Sequence, residues 1–363
     1  MKLRIANLFS PLSRIAAVIF VFAFSALLLS QGSYAAADFI NDYISQPFRM
    51  IMAQMGDVFS FSLFEVVVLC IPVFIAIVIV KTVCHINDRE AMGRLVVNLA
   101  AIVLLIYSGH LIALGIAHNT TPLSRKMSLE EVDVTEDRLV TALIDVRDEI
   151  NALASDVSRD DSGVFVHGYS YSQVSEKICE YYNSFASEYD LPKGYSSNAK
   201  GVRAGEVMSY LGISGIYTYV TGEANVNTLY PDYVTLFTTA HEKSHQRGIL
   251  RENEANFVAY ILLSSSDDSA FRYSAALNIY SYLASALYRT NKDAYNEIVS
   301  ELSPLAKIDI RTANSITQKY GDTIISDISE WINDLYLESS GSGGVVSYSQ
   351  VVTLVLAYRE SQR

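Results

Sequence analysis

A chain of 363 residues that is half hydrophobic, with a positive mean hydropathy, is richer in apolar side chains than soluble domains usually are, so a membrane portion is expected. The formal net charge of −12 offers no basic footprint, and no nucleic-acid partner is expected. Three cysteines make no disulfide framework: Cys70 and Cys84 lie in or beside an apolar stretch, and Cys179 has no convincing histidine partner nearby.

The apolar excess is concentrated in residues 1–117, which read as a membrane anchor with three transmembrane helices at about 15–30, 61–80 and 95–116. The second and third have the ~20 residues that a spanning helix needs. The first is shorter. Lys2, Arg4 and Arg14 precede it and Ser33-Tyr34-Ala35-Ala36-Ala37 follows, a pattern that also suits a cleavable signal peptide. An uncleaved anchor is the favoured reading. Lys81, Arg89 and Arg94 fall between the second and third spans, whereas the loop after the first span has Arg49 among Asp38, Asp42 and Asp57. The positive-inside rule then puts the N-terminal tail and the second loop in the cytoplasm and residues 118–363 outside it. Glu65 and His110 sit in spans, where a snorkelling or packing role is expected for each.

Past the anchor, residues 128–158 read as a charged helix with Val140, Leu143, Ile144 and Ile150 on one side. A polar loop follows, then a helix from 172 to 188 that ends at Asp190-Leu191-Pro192-Lys193-Gly194. Ile216-Tyr217-Thr218-Tyr219-Val220 and Ala224-Asn225-Val226-Asn227 suggest two short strands. Pro231 opens a helix over 233–247 and Gly248 closes it. Another helix begins near Leu250, and Asp267 and Asp268 cap a further one through Tyr288. More helices run to about Tyr336, a Gly/Ser segment covers 339–344, and 345–361 forms a terminal helix. The 24 tyrosines are most plainly explained by helix packing.

His241-Glu242-Lys243-Ser244-His245 is an H-E-x-x-H pattern inside the predicted helix 233–247. Residues i and i+4 share a helix face, so both imidazoles can reach one metal, with Glu242 beside it as a general base. The bland alternative is two surface histidines with a salt-bridging glutamate. A third, acidic ligand is available in Glu252 or Glu254. On an unbroken helix Glu252 would lie ~10 Å beyond His245, too far for bonds of ~2 Å. A turn at Gly248 would fold the next helix back and present Glu252, with Glu254 as the alternative ligand. Asn256, one turn after Glu252, could hydrogen-bond a ligand histidine.

The run from Gly215 through Thr221-Gly222-Glu223-Ala224-Asn225-Val226-Asn227 and Pro231, on to His241-Glu242-x-x-His245-Gln246-Arg247-Gly248 and Arg251-Glu252-Asn253-Glu254-Ala255-Asn256-Phe257, resembles a bacterial family of three-span H-E-x-x-H membrane proteins catalogued as a domain of unknown function. The resemblance covers most of the chain. It implies membrane location and zinc-peptidase chemistry, not a substrate. Glu252 to Asn256 also resembles the E-x-x-A-D segment of zinc peptidases with a glutamate third ligand (gluzincins), which implies metal ligation by Glu252. The aspartate of that pattern is Asn256 here, an amide that cannot charge-assist a ligand imidazole. In such peptidases a strand ahead of the catalytic helix binds the substrate backbone. Glu223, Asn225 and Asn227 alternate on one face of such a strand, aimed at substrate or at the site floor, or else they form a polar tie between strand and helix. Tyr217, Tyr219, Tyr260 and Arg251 are candidates for stabilising the oxyanion.

The expected fold is therefore mainly α: N-terminal transmembrane helices, then a zincin-like α+β extracytoplasmic domain with a small β element before the helix of His241. The expected function is that of a membrane-anchored zinc metallopeptidase of a bacterial cell membrane, hydrolysing peptide bonds with a zinc-activated water and Glu242 as base. Zn2+ is the implied cofactor, with the lipid bilayer and a peptide or protein substrate, membrane-associated ones included, as partners. The rival reading is a non-catalytic membrane sensor or scaffold that retains a zincin-like fold.

Overall fold

The computed structural model describes residues 8–189, 191–321 and 344–363, the last segment with side chains from 350 onward. Lys2 and Arg4, the helical stretch expected from 322 to 336 and the Gly/Ser segment up to 343 lie outside the described residues. The chain divides into two units. One runs to Thr121 and takes in Thr218–Glu223; the other holds Pro122–Tyr217 and the chain from Ala224 onward.

In the first unit, helix α1 covers Pro11–Ser30. Ser10 caps it by accepting from the Ser13 N–H, and Pro11 occupies the first turn, where its missing N–H costs nothing. The helix thus starts ahead of the apolar run and reaches 20 residues. After it come α2 (Tyr34–Ile40), a π turn (Asn41–Ser45) and α3 (Gln46–Asp57), where the sequence suggested only a loop. Polar Asn41, Ser45, Gln46 and Arg49 break the apolar pattern there, and Pro47 looks like a breaker, yet the helix runs on through it directly after the π turn. Helix α4 covers Leu63–His85, with Glu65 in its first turn, where the helix dipole favours a carboxylate. Helix α5 (Arg89–His110) continues through a π turn (Leu111–Gly115) and a 3-10 turn (Ala117–Asn119). The His110 ring packs between Tyr107 and Tyr219, at 6.0 and 5.8 Å. Among the described residues, three helices are long and apolar enough to cross a bilayer: Pro11–Ser30, Leu63–His85 and Arg89–Asn119. The protein is a multi-pass membrane protein.

The second unit is mainly helical. After the short α6 (Leu123–Lys126), α7 (Glu136–Leu153) buries Leu139, Leu143, Val146 and Ile150. Val140 and Ile144 sit only at the margin of that core. Helix α8 (Tyr171–Glu188) begins with a capping box formed by Ser170 and Gln173. Strand β1 (Lys200–Val202) and helix α9 (Gly205–Tyr210) come next, and neither was legible at that length. Strands β2 (Gly215–Thr218) and β3 (Glu223–Asn227) complete a three-stranded open sheet in the order β1-β3-β2. β1 runs parallel to β3, with Gly201 opposite Val226. β3 is central and β2 is an edge strand.

Helices α10 (Asp232–Gln246), α11 (Glu252–Ser264) and α12 (Ser269–Thr290) pack on one another, and α12 also lies along α7. α13 (Lys292–Ser300), α14 (Pro304–Gly321) and the terminal α15 (Gly344–Ser361) follow. Tyr182, Tyr233, Tyr273 and Tyr280 are buried in this core. Asp309 is wholly buried and holds part of it together. Its carboxylate accepts from the Phe165 N–H at 2.8 Å, from Tyr273 Oη at 2.6 Å and from Arg159 Nη1 at 3.0 Å. A buried charge is tolerable when so fully bonded.

Candidate metal centre

The centre is built on the end of α10. Gly248, at φ +93°, stops the helix in the left-handed region that glycine occupies without strain. The Gly248 N–H bonds the His245 carbonyl at 2.9 Å and the Ile249 N–H bonds the Ser244 carbonyl at 3.0 Å. This pair of bonds is the Schellman arrangement. The chain then reverses, and α11 opens with Glu252 in its first turn.

The reversal brings three side chains together. His241 Nε2 lies 3.3 Å from Glu252 Oε2, and His245 Nε2 lies 3.4 Å from Glu252 Oε1. One ligand atom from each of the three lies within 4.8 Å of the others. Two donors each ~2.1 Å from one tetrahedral ion would sit about 3.4 Å apart. The two observed separations, each to a different oxygen of Glu252, are of that order. The two imidazoles stand edge to face, with centroids 4.5 Å apart. His245 Nδ1 lies 2.8 Å from the Ile249 carbonyl. A carbonyl only accepts, so Nδ1 carries a proton, and Nε2 is the nitrogen turned toward Glu252, where a bound metal would take its lone pair. Among the described residues, His241 Nδ1 is buried without a hydrogen-bond partner. Two imidazoles and a carboxylate suit a divalent cation.

Glu242 is buried beside the cluster, and burial pushes its carboxyl above the ordinary carboxylate value, against the pull of both imidazoles and the Tyr217 N–H. Burial also disfavours the charged form of His245, yet the Glu252 carboxylate outweighs it and holds the imidazole up at about 9. Glu252 is driven the other way: burial would raise it, and His245 and hydrogen bonds from both imidazoles keep it well below its usual range. The backbone of β2 presses directly on Glu242. A methyl group placed on Gly215 would lie 2.4 Å from Thr238 Cγ2 and 2.7 Å from Glu242 Oε1, so only glycine fits.

The other residues singled out from the sequence have separate duties. Glu254 is held by the Leu123 N–H at 2.8 Å and by Arg251 Nη1 at 3.1 Å. It secures the chain before α6 rather than joining the histidines. The Asn256 amide donates to the Glu252 carbonyl at 2.8 Å, tying the start of α11. Asn225 Nδ2 donates to the Ile216 carbonyl at 3.4 Å, and Asn227 Nδ2 to Ser209 Oγ at 2.8 Å. Both are polar ties between neighbouring segments. Glu223 belongs to the first unit, where its carboxylate caps α4 by accepting from the Leu63 and Phe64 N–H groups, each at 2.9 Å. Among the four oxyanion candidates, Tyr217 offers its backbone N–H to Glu242. Tyr219 Oη donates to the Ile106 carbonyl, Tyr260 Oη accepts from Arg359, and Arg251 pairs with Glu254.

Sequence reasoning missed two features. The first is the Ile249 carbonyl, although Gly248 signalled the turn that creates it. The second is the rear of α10. Lys243 Nζ is buried and donates to the Ser197 carbonyl at 2.6 Å and to Ser197 Oγ at 3.1 Å. Arg247, also buried, donates to the Lys243 and Tyr195 carbonyls and lies over the Tyr182 ring at 4.9 Å. Charged residues in a motif normally read as solvated, so nothing local flagged them.

The turn gives a direct test. Gly248→Ala forces a β-carbon into the left-handed region at a cost of roughly 1–2 kcal/mol. It should displace the Ile249 carbonyl from His245 and weaken metal binding by about 10–100-fold. Chelator competition would measure this. Unchanged affinity in a folded variant would show that the carbonyl does not orient the ligand.

The chain matches the family described as protein of unknown function (DUF3810) over residues 37–356. No curated protein and no solved structure is similar to it. The matched stretch holds the second and third apolar helices, all three strands and the whole His241, His245 and Glu252 cluster. With most of its length so covered, the chain belongs to the DUF3810 family.

Proposed function

We propose that the protein is a membrane-anchored zinc-dependent peptidase with a zincin-like catalytic domain outside the cytoplasm of a bacterial cell. The observation that carries this reading is the approach of both Nε2 atoms to one carboxylate at 3.3 and 3.4 Å, with the buried Glu242 alongside. His241, His245 and Glu252 would hold the ion. Bound there, zinc would supply a Lewis acid that makes water nucleophilic near neutral pH and polarises the scissile carbonyl.

The chain's own groups supply the rest. Glu242, fixed by the Tyr217 N–H, takes the proton from the attacking water and delivers it to the leaving amine. Its raised affinity for protons suits both halves of that transfer. β3 is flanked on both sides, so an extended peptide would add to the outer edge of β2 instead. Extracytoplasmic placement of the second unit is supported by Arg14, Lys81, Arg89 and Arg94, which flank the opposite ends of the spans.

Metal analysis of the purified full chain is the first test, with peptide-library cleavage measured in parallel. We expect one zinc per chain, cleavage lost to chelator and restored by zinc, and no metal in His241→Ala. A protein that purifies without metal and takes none up would refute the proposal. Tight zinc without cleavage of any library member would make it a scaffold.

A further inference from the structure

The helix between α1 and α4, residues 34–57, is inside out by the standards of a water-soluble protein. Its exposed side carries the large apolar residues Phe39, Tyr43, Ile51 and Met55 alongside Asp42 and Gln54, followed by Val58, and Tyr43 and Val58 are 70% and 79% exposed. Its buried side carries Asn41, Ser45, Gln46 and Arg49, the last fully buried, among the smaller contributions of Ala37, Ile40 and Ala53. Arg49 donates to the Ala113 carbonyl at 2.7 Å, to Asn41 Oδ1 at 2.7 Å and to Gln46 Oε1 at 2.9 Å. Polar groups inside and apolar groups outside is the arrangement favoured where the surroundings are hydrocarbon.

The exposed apolar residues form one stripe. They recur mainly every fourth position, a spacing that drifts by about 40° per step on a straight α-helix. The π turn at Asn41–Ser45 has a wider turn and takes back part of that drift.

The depth of this helix can be read from its partners. The third span, Arg89–Asn119, has 31 residues and is roughly 46 Å long, against a hydrocarbon core of about 30 Å. Arg89, Glu90 and Arg94 occupy one end of it. About 20 residues further on, the core ends near Leu114. Arg49 binds the carbonyl of Ala113, at that boundary. Asp38 binds Thr121 beyond it, through the Thr121 N–H at 3.1 Å and Oγ1 at 2.7 Å. Phe48 lies against Gly109 on the inner side: a methyl group on Gly109 would sit 3.9 Å from Phe48 Cζ. The helix therefore descends from the headgroup level to the acyl chains.

We propose that residues 34–57 are a fourth membrane-embedded element, a half-inserted interfacial helix whose Phe39, Tyr43, Ile51 and Met55 face lipid. The occupant of the stripe is the bilayer itself, because only the short linkers 31–33 and 58–62 join the helix to a span at each end, and Phe39 and Tyr43 lie at the headgroup end, where such side chains collect. The burial of Arg49 is thereby explained, since it saturates a carbonyl left by the π turn of the third span and two side-chain amides, all away from water.

The test uses the full chain with Cys70, Cys84 and Cys179 replaced by serine, in vesicles of phosphatidylethanolamine and phosphatidylglycerol. Nitroxide labels are placed singly at Tyr43→Cys, Ile51→Cys and Met55→Cys, with Val18→Cys on α1 as the lipid standard and Val134→Cys as the water standard. Collision with oxygen should be high, and collision with a water-soluble nickel chelate several-fold lower than at position 134, at positions 51 and 55, which should approach position 18, with position 43 at the headgroup end falling between position 18 and position 134. Nickel accessibility like that of position 134 would overturn the proposal. So would spin–spin broadening that vanishes on dilution with unlabelled protein, which would put a second copy on the stripe. In the unlabelled wild-type protein, a lipid-soluble carbene reagent should modify peptides from 34–57 as well as those of the three spans; modification confined to the spans would equally refute it.

Discussion

Glu242→Gln is expected to keep the metal and lose hydrolysis. The substitution is nearly isosteric, so the contact with Gly215 survives and the Tyr217 N–H still finds an oxygen to bond. His241, His245 and Glu252 are untouched, and metal content should equal that of the wild type. What disappears is the basic oxygen. Positioned general bases contribute typically about 10²–10⁴-fold, and here one group serves both proton transfers, so the loss should sit at the upper end. Turnover should fall while KM changes little, because in the proposed mode the substrate backbone would meet β2 and not this side chain. Wild-type turnover in the variant would remove Glu242 from the mechanism.

The second large effect separates two neighbouring glutamates. Glu252→Gln removes the only anionic member of the cluster. Structural zinc sites are worth roughly 10–16 kcal/mol over four ligands, so the loss of one should cost about 3 kcal/mol, or a hundredfold in affinity. Glu254→Gln should act on the fold instead. It weakens charged hydrogen bonds to the Leu123 N–H and Arg251, worth about 1–3 kcal/mol of stability, and leaves metal affinity within a few-fold. Equilibrium unfolding and chelator competition on both variants distinguish the two roles. The reverse pattern, with metal lost from the Glu254 variant, would reassign the ligand.

The apolar helices were legible because uninterrupted hydropathy is a local property. The 34–57 helix was not: Asn41, Ser45, Gln46 and Arg49 point inward, so its periodicity carries the wrong sign for a method that equates polarity with solvent. The same blindness affected α10. Thr239, Lys243, Ser244 and Gln246 are buried there, which only their partners explain: Thr239 Oγ1 and Ser244 Oγ donate to carbonyls one turn back, and Lys243 is received by Ser197. His241, His245 and Glu252 could be grouped in advance because helix periodicity and one glycine fix their geometry. The bonding of Glu223, Asn225 and Asn227 could not, since each meets a partner set by tertiary contacts. β1 escaped notice because three residues show no alternation.

The clamp behind α10 bears on how the protein stores its binding energy. Lys243 and Arg247 fasten α10 to the Tyr195 and Ser197 backbone through bonds that owe nothing to a cation. Whatever affinity His241, His245 and Glu252 have is therefore not consumed in building their own scaffold. A zinc finger collapses on demetallation; this helix should instead survive stripping and accept reloading, so that different divalent ions can be exchanged into one unchanging cradle and compared.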